Sequence, residues 1–330
     1  MESEKRYKVL HLINDMSFGG AQKTLRNLTD EENIYTIKKS KNHKSFLNLF
    51  KEVRLSKEKI IVFSWLYHSI FFGCFFKFFF KKKIIHAGLI RNGYRSPYSI
   101  SKITRLVIKL SSLFSSKFCD HIIFCSQSSR EEHFKENLFK KVKSSVVYNG
   151  VKIPKEKFLK KKNFNIGMIA RFEKQKNFSL IKEIINYLNL HKIHLSILTD
   201  KKEALVNFLS LGDSSFVKVF DNREIHKSEI FKVCSHHLLV SKSEGFANVN
   251  LEALSFGCNL ISTRVGDSHL FPSKWCTLVD DEKNDLENKI SKLKKSFDEN
   301  LLFNSMQEKI DFLENNFPEK IESDYLCWMR

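Results

Sequence analysis

Two cationic side chains at one turn have the chemistry needed to hold a diphosphate. Arg171 ends an apolar run that reads as a strand, and Lys176 follows five positions later, just before an amphipathic stretch. A planar guanidinium and a compact ammonium on one turn can bind neighbouring phosphate groups together. The alternative is that both are solvated residues of a Lys-rich loop. Local sequence does not separate the two.

Two carboxylates lie on either side of a predicted helix start. Glu244 precedes, and Glu252 lies within, a helix predicted over 248–256, with Asn248 as its N-cap and Gly257 as its stop signal. Carboxylates accept hydrogen bonds from hydroxyls, and the N–H groups of a helix start can face a phosphate. Two acids at this spacing are otherwise ordinary surface residues.

Paired glycines follow the first apolar run of the chain. Gly19 and Gly20 separate a predicted strand from a predicted helix. Glycine lets the backbone approach a phosphate closely at such a turn. A simple tight turn explains the pair equally well.

Short apolar runs alternate with amphipathic stretches along the whole chain, which predicts an α/β fold of two doubly wound domains. The boundaries we expect are an N-terminal domain over 1–150, a linker over 151–163 that carries Pro154 and six lysines, and a second domain over 164–330. The last helix is a candidate to pack back on the N-terminal domain. Ligands of such folds bind at the carboxyl ends of the strands, here expected in the cleft between the domains.

Composition excludes several classes of protein. With 42% hydrophobic and 28% charged residues among 330, the chain is neither collagen-like, wholly disordered nor a polytopic membrane protein. Its seven cysteines form no C-x-x-C pair, so no zinc ribbon or disulfide framework follows, and a reducing cytosol is expected.

Charge is distributed unevenly. Residues 1–150 carry 28 basic and 12 acidic side chains, a net charge of +16, which leaves +3 for the remaining residues. This predicts an anionic partner for the N-terminal half, either membrane headgroups or nucleic acid.

An apolar segment over 60–80 has the length of a membrane span but contains His68 and Lys77. We therefore predict a buried strand leading into a Phe-rich helix. A helix lying in the membrane interface is the alternative.

Several motifs together resemble a known family, the retaining nucleotide-sugar glycosyltransferases of family 4, in its branch that makes cell-surface polysaccharides such as capsule and lipopolysaccharide. The matching segments are Gly19-Gly20-Ala21, Ser64 to His68, Ile90-Arg91-Asn92, Tyr148 to Val151, Arg171 to Asn177, Glu244 to Glu252 and Gly266-Asp267. The resemblance implies the GT-B fold, with two facing Rossmann-like domains and an active site in the cleft between them. It also implies that the domain over 1–150 is the acceptor side and that the domain over 164–330 binds the nucleotide sugar.

The resemblance also implies a role for each motif residue. Arg171 and Lys176 would hold the donor diphosphate, Glu244 would contact hydroxyls of the transferred sugar, and Glu252 would bind the ribose. The phosphate cradle would be completed by Gly19, Gly20, Phe246, Ala247, Asn248 and Val249. Arg91 is the favoured cleft residue of the N-terminal domain, ahead of His68 and His86.

The implied reaction is glycosyl transfer with retention, without a cofactor. No D-x-D triplet occurs in the sequence, so we expect no metal and assign the positive charge to the Arg-Lys pair. The expected partners are a nucleotide-sugar donor, a saccharide or lipid-linked acceptor and an anionic membrane surface, with a cytoplasmic location at the inner face of the membrane. The rival hypothesis is a basic nucleic-acid- or membrane-binding protein on a degenerate GT-B scaffold. Nucleic-acid binding is disfavoured because the Phe residues lie in runs that we expect to be buried.

Overall fold

The computed structural model describes residues 7–16, 20–38, 43–94, 101–155, 160–211, 216–320 and 322–329. The chain divides into two compact units. Unit 1 comprises Met1–Asn149 together with Lys320–Arg330, and unit 2 comprises Gly150–Glu319.

A parallel sheet of seven strands forms the centre of unit 1, in the order β3-β2-β1-β4-β5-β6-β7. The strands are β1 (Tyr7–Ile13), β2 (Ile34–Thr36), β3 (Lys44–Ser45), β4 (Lys59–Trp65), β5 (Ile84–Ile90), β6 (His121–Phe124) and β7 (Ser144–Val146). The helices are α1 (Gly20–Leu28), α2 (Phe46–Leu55), α3 (Leu66–Phe79), α4 (Lys102–Phe118) and α5 (Gln127–Lys135).

Helices cover both faces of this sheet. The two faces can be told apart because successive side chains of a strand point to opposite faces. Phe63 and Trp65 of β4 pack in one cluster with Leu25 of α1. Ile60 and Val62 of the same strand pack in another cluster with residues of α2 and α3. Buried strands with apolar residues on both faces are typical of parallel sheets between helix layers.

The end of the chain belongs to unit 1 as a 3₁₀ helix over Glu322–Met329. Tyr325 is buried in the same cluster as Phe63 and Trp65. The carboxylate of Glu322 lies 2.7 Å from Nε2 of His11. The segment therefore covers the face of the sheet on which α1 also packs.

Unit 2 contains a second parallel sheet, in the order β10-β9-β8-β11-β12-β13. The strands are β8 (Asn165–Ile169), β9 (His194–Thr199), β10 (Val217–Asp221), β11 (His236–Leu239), β12 (Asn259–Thr263) and β13 (Cys276–Val279). The helices are α6 (Phe178–Leu190), α7 (Lys202–Leu209), α8 (Lys227–Val233), α9 (Asn248–Ser255), α10 (Lys283–Lys295), α11 (Glu299–Asn304) and α12 (Met306–Asn316).

The predicted fold class is confirmed, because two parallel sheets alternate with helices along the chain. Most predicted elements recur with ends shifted by a few residues. The short strand β3, the edge strand β13 and the three helices from α10 onwards have no counterpart among the predicted elements. The segment that follows Gly150 includes Lys161, which is buried and donates from Nζ to the carbonyl of Phe256 at 2.7 Å.

The apolar segment over 60–80 forms strand β4 and helix α3, as predicted. Within the parts of the chain that the structure describes, no helix is long and apolar enough to cross a membrane. The expected burial of the Phe-rich run is wrong in part. Phe76 is buried, whereas Phe75, Phe78 and Phe79 are about half exposed, because α3 presents only one side to the sheet.

Candidate functional site

Three loops of unit 2 meet at one edge of its sheet. They follow β8, β11 and β12, which are neighbours in the sheet and run parallel, so their carboxyl ends lie side by side. The first two loops are tied together directly, since the amide of Lys242 donates to the carbonyl of Gln175 at 2.8 Å. Arg171, Lys176 and Glu244 all belong to these two joined loops.

Lys176 and Glu244 form an ion pair. Their side chains are only 14% and 13% exposed. Arg171 is different: its guanidinium is 44% exposed and lies 2.9 Å from the carboxylate of Glu173, two residues along its own loop. The structure thus brings Lys176 and Glu244 into contact and places Arg171 nearby on the chain but open to solvent.

Glu252 lies on α9 and forms an ion pair with a residue of α8, a helix that contains none of the predicted site residues. Nζ of Lys227, the first residue of α8, is 2.5 Å from its carboxylate, and the two side chains are 27% and 19% exposed. Lys227 is 25 positions away in sequence, so no local pattern could have indicated this partner. The pair fixes the carboxylate of Glu252 beside the first turn of α8.

The start of α9 differs from the prediction by one residue. Ala247 is the N-cap and Asn248 is the first helical residue, so the assignment of Asn248 as N-cap is wrong. Phe246 and Ala247 are buried, whereas Asn248 and Val249 are partly exposed. The chain therefore enters the helix from a buried turn, and Gly257, at φ +75°, follows the helix as predicted.

Gly266 supports the turn that carries Glu244. It adopts a left-handed conformation, with φ of +54°. A Cβ atom at this position would lie 2.9 Å from Cβ of Glu244 and 3.2 Å from Cα of Phe246. Glycine is therefore required here both for its backbone angle and for close packing.

A buried polar network anchors α9 to the sheet. Nδ1 of His237 on β11 lies 3.2 Å from the side-chain oxygen of Asn250, and the amide of Asn250 donates to Ser262 on β12 at 3.3 Å. Burial lowers the pKa of His237 to about 4, so the ring is neutral near pH 7. Asn250 lies inside the motif that contains Glu244 and Glu252, but only the structure shows its role.

Unit 1 holds the remaining predicted residues. Gly20 is the first residue of α1, and Gly19 lies outside the described residues. Arg91 directly follows β5 and is only 8% exposed. Its guanidinium lies 5.6 Å from the ring of Trp65 and 5.8 Å from that of Tyr325.

Arg91 has no counter-anion in the part of the chain that the structure describes. Its Nη1 and Nη2 atoms are buried without a hydrogen-bond partner there. A buried guanidinium normally has a carboxylate or several acceptors around it, because desolvating the charge is costly. The two aromatic rings supply only part of that compensation.

His68 and His86, the weaker candidates for the cleft residue of the N-terminal domain, have different surroundings from Arg91. Nε2 of His86 lies 2.9 Å from the hydroxyl of Ser64, and Nδ1 lies 3.0 Å from the carbonyl of Phe118. Burial lowers the pKa of His86 to about 4. Burial also lowers the pKa of His68. His86 is thus a neutral core residue that joins β5 to β4.

No cluster of three or more His, Cys, Asp or Glu suited to a metal ion occurs within the described ranges. The predicted residues in the joined loops that could bind a ligand are Arg171, Lys176 and Glu244, and the backbone of the turn before α9 lies next to them.

Comparison with known proteins finds similarity over part of the chain. Residues 151–300 match the family model described as "Glycosyl transferases group 1". An uncharacterized glycosyltransferase of Methanocaldococcus jannaschii is 26% identical over 148 residues, which is 44% of this chain and 40% of that protein. The chain thus spans less than half the length of this curated relative.

Solved structures show the fold of the whole chain. HepE of Anabaena in complex with UDP superposes with a TM-score of 0.74, over 94% of this chain and 96% of that one, at 15% identity. The apo form of WaaB, a lipopolysaccharide outer core galactosyltransferase, superposes with a TM-score of 0.61 over 93% and 96%, at 16% identity. The chain has the GT-B fold, and together with the group 1 match over residues 151–300 this supports a GT-B glycosyltransferase.

Proposed function

We propose that the protein is a retaining glycosyltransferase that moves a sugar from a nucleotide-sugar donor to a saccharide acceptor. The observation that carries the proposal is the Lys176–Glu244 pair, held where two loops are joined at the carboxyl edge of the unit 2 sheet. This is the edge at which ligands of open α/β sheets bind. It lies inside the segment that matches group 1 glycosyl transferases.

The donor diphosphate would bind to Lys176 and Arg171. Both cations lie on the loop after β8, and an incoming phosphate would replace Glu244 and Glu173 as their anionic partners. Backbone groups around Phe246, Ala247, Asn248 and Val249 would complete the phosphate site of unit 2. Gly20, at the start of α1 in unit 1, stays a candidate for phosphate contact on the sequence pattern alone, as does Gly19. We propose that these cations make a metal ion and a cofactor unnecessary.

Glu252 would accept hydrogen bonds from the ribose hydroxyls, and Glu244 from hydroxyls of the transferred sugar. Both carboxylates are largely buried and have a lysine partner, Lys227 or Lys176. A carboxylate accepts hydrogen bonds and donates none. Both residues would therefore orient the donor.

In the proposed reaction, the bond between the anomeric carbon and the diphosphate oxygen breaks, and the nucleotide leaves with the bonding electrons. The acceptor hydroxyl then bonds to the anomeric carbon on the same face and gives its proton to an oxygen of the leaving phosphate. Lys176 and Arg171 would stabilise the charge that develops on that phosphate.

Arg91 would bind an anionic group of the acceptor, a phosphate or a carboxylate. The support is the burial of Arg91 next to Trp65 and Tyr325, without a counter-anion among the residues that the structure describes. An acceptor phosphate or carboxylate would supply the missing charge, with the bidentate geometry that guanidinium groups favour.

The proposed biological role is synthesis of a cell-surface polysaccharide on a lipid-linked acceptor, in the cytoplasm at the inner face of the membrane. The support is the similarity in fold to WaaB, together with the +16 net charge of residues 1–150. UDP is the first nucleotide to test, because HepE has been solved with UDP and with UDP-glucose.

Donor hydrolysis followed by proton NMR tests the mechanism. UDP-glucose is incubated with the wild type in EDTA, and the anomer of the glucose released is recorded before it mutarotates. We expect the α-anomer, and we expect Lys176→Met to lose the activity. Release of the β-anomer would contradict retention, and dependence on added Mg²⁺ would contradict metal independence. Binding of an oligonucleotide by a protein that binds no nucleotide sugar would favour the rival hypothesis.

A further inference from the structure

Two helices of unit 1 expose a concentration of large apolar side chains. On α3, Phe75, Phe78 and Phe79 are 50%, 56% and 55% exposed. On α4, Ile103, Leu106 and Leu113 are 75%, 57% and 65% exposed. We refer to these six residues as the α3–α4 face. An exposed apolar patch rimmed by polar residues on a folded domain is typical of an interaction surface.

The six side chains lie on the outer side of the helix layer. The sides of α3 and α4 that meet the protein interior carry other residues, among them Ile70 and Cys74 of α3 and Ile108 of α4. A ring contact connects the helices, since the Phe78 ring lies 5.4 Å from the ring of Phe118 of α4. The apolar face is therefore a surface of the packed layer and not a gap in the core.

Basic residues surround this face. Lys81 and Lys82 follow α3, and Lys102, Lys109 and Lys117 lie on α4, all of them exposed. In the described part of the chain, no carboxylate pairs with Lys81, Lys82 or Lys109. The acid next to these helices, Asp120, is bound by Lys77 at 2.8 Å. The positive charge of Lys81, Lys82 and Lys109 thus has no acidic partner among the described residues.

We propose that the α3–α4 face docks the protein on an anionic lipid membrane. The phenylalanines and aliphatic side chains would enter the boundary between headgroups and acyl chains, and the lysines would contact the headgroups. An anionic membrane is the partner whose charge is complementary to the lysines around the face. A second copy of this chain would bring two positive rims together, and nucleic acid would pair the charges but leave the aliphatic residues without an apolar partner. The proposal does not depend on glycosyl transfer.

Co-sedimentation with vesicles tests the proposal. The full chain is mixed with vesicles of phosphatidylcholine alone or of phosphatidylcholine with phosphatidylglycerol, at low and high salt. We expect binding to the anionic vesicles, weakened by salt, and little binding to the neutral ones. Lys81→Gln with Lys82→Gln should reduce the affinity about tenfold or more. Phe75→Ser with Phe79→Ser should reduce it as well.

Matched variants in unit 2 serve as controls. Leu190→Ser with Leu301→Ser removes two residues that are 77% and 69% exposed, and Lys292→Gln with Lys295→Gln removes two exposed lysines. Both should bind vesicles like the wild type. Every variant is checked for an unchanged melting temperature and an unchanged circular dichroism spectrum. Equal binding to neutral and anionic vesicles, no binding, or equal losses in face and control variants would overturn the proposal. So would a dimer in solution that the Phe75 and Phe79 substitutions dissociate.

Discussion

Lys176 has Glu244 as its carboxylate partner, and in the proposed donor site this pairing would set the energetics of phosphate binding. A largely buried ammonium without a partner would be costly, and Glu244 compensates the charge of Lys176. In the proposed donor site, a phosphate would replace Glu244 as the partner. Arg171 needs no such compensation because it is partly solvated. The two cations should therefore contribute unequally, with Lys176 the larger.

Lys176→Met tests this inequality. Charge-assisted hydrogen bonds contribute about 1.5–3 kcal/mol, so we expect donor affinity to fall by roughly one to two orders of magnitude. Lys174→Met, in the same 3₁₀ turn and exposed, is the control and should bind donor normally. Isothermal titration with UDP measures both. Equal affinity of the two variants would contradict the assignment of Lys176 to the diphosphate.

Arg91→Met tests the unpaired guanidinium. Replacing a buried charge that has no counter-anion by an apolar side chain of similar length removes a desolvation cost, so the melting temperature should be unchanged or higher. Stabilisation by inorganic phosphate, measured in a Lys176→Met background, should disappear. Arg54→Met, at an exposed position, is the control. A large loss of stability with phosphate binding intact would show that Arg91 is structural.

Among elements, the loop after β12 determines the position of the loop after β11. Gly266 adopts a left-handed backbone angle and packs against Glu244 and Phe246, so the Glu244 turn depends on a neighbouring strand connection. In unit 1, α3 depends on a glycine for a similar reason. A Cβ at Gly73 would lie 2.2 Å from both Nε2 of His86 and the hydroxyl of Ser64.

Gly266→Ala should reduce the free energy of donor binding by more than it reduces the free energy of unfolding of unit 2. The added methyl group must displace the Glu244 turn, and the φ angle of +54° is strained for alanine. We expect several-fold weaker UDP-glucose binding by calorimetry. Val265→Ala, one residue earlier and only partly exposed, is the control. Unchanged affinity in Gly266→Ala would show that Glu244 does not need this position.

Gly73→Ala should destabilise the protein although alanine favours helices. The methyl group would collide with His86 and Ser64, and a collision with packed side chains typically costs about 1–3 kcal/mol. Helix propensity would offset about 1 kcal/mol of that. Ser116→Ala, exposed on α4, should leave the melting temperature nearly unchanged. A Gly73→Ala protein as stable as the wild type would contradict the packing.

The sequence predicted the positions of helices and strands well where the hydrophobic periodicity is strong. It predicted less well the features that depend on contacts between residues far apart in the chain. Strand β8 and the start of α6 lie where the apolar pattern placed them. The partners of the motif residues were not predictable, because Lys227 meets Glu252, and Gly266 meets Glu244, only through strand order. The apolar run over 66–79 gave no indication of its exposed side, since nearly every residue in it is apolar.

At the scale of the whole molecule, several histidines are buried as neutral rings. Burial lowers the pKa of His86 and His237 to about 4 and that of His236 to about 3. These folded-state pKa values lie below the unfolded value of about 6.5. The unfolded chain therefore takes up protons first as the pH falls, and the folded state loses stability.

The melting temperature should therefore fall as the pH drops from about 6.5 towards 4, and it should change little between pH 7 and 8. Proton linkage predicts that each fully buried histidine lowers the free energy of unfolding by about 2 kcal/mol at pH 5. This corresponds to a fall of several degrees or more in the melting temperature. Calorimetry across this range measures it. His236→Phe should flatten the profile, whereas His226→Phe, at an exposed position, should not. A melting temperature independent of pH down to 5 would contradict neutral burial.

The most direct test of the central claim is a thermal-shift panel of UDP-, GDP-, ADP- and CMP-sugars in EDTA, on the wild type and Glu252→Gln. Glu229→Gln, exposed on α8 near the same lysine-bearing helix start, is the control. We predict that one nucleotide sugar stabilises the wild type and Glu229→Gln and that Glu252→Gln loses most of this effect. If no nucleotide sugar raises the melting temperature of the wild type, or if Glu252→Gln responds fully, the proposed donor site is contradicted.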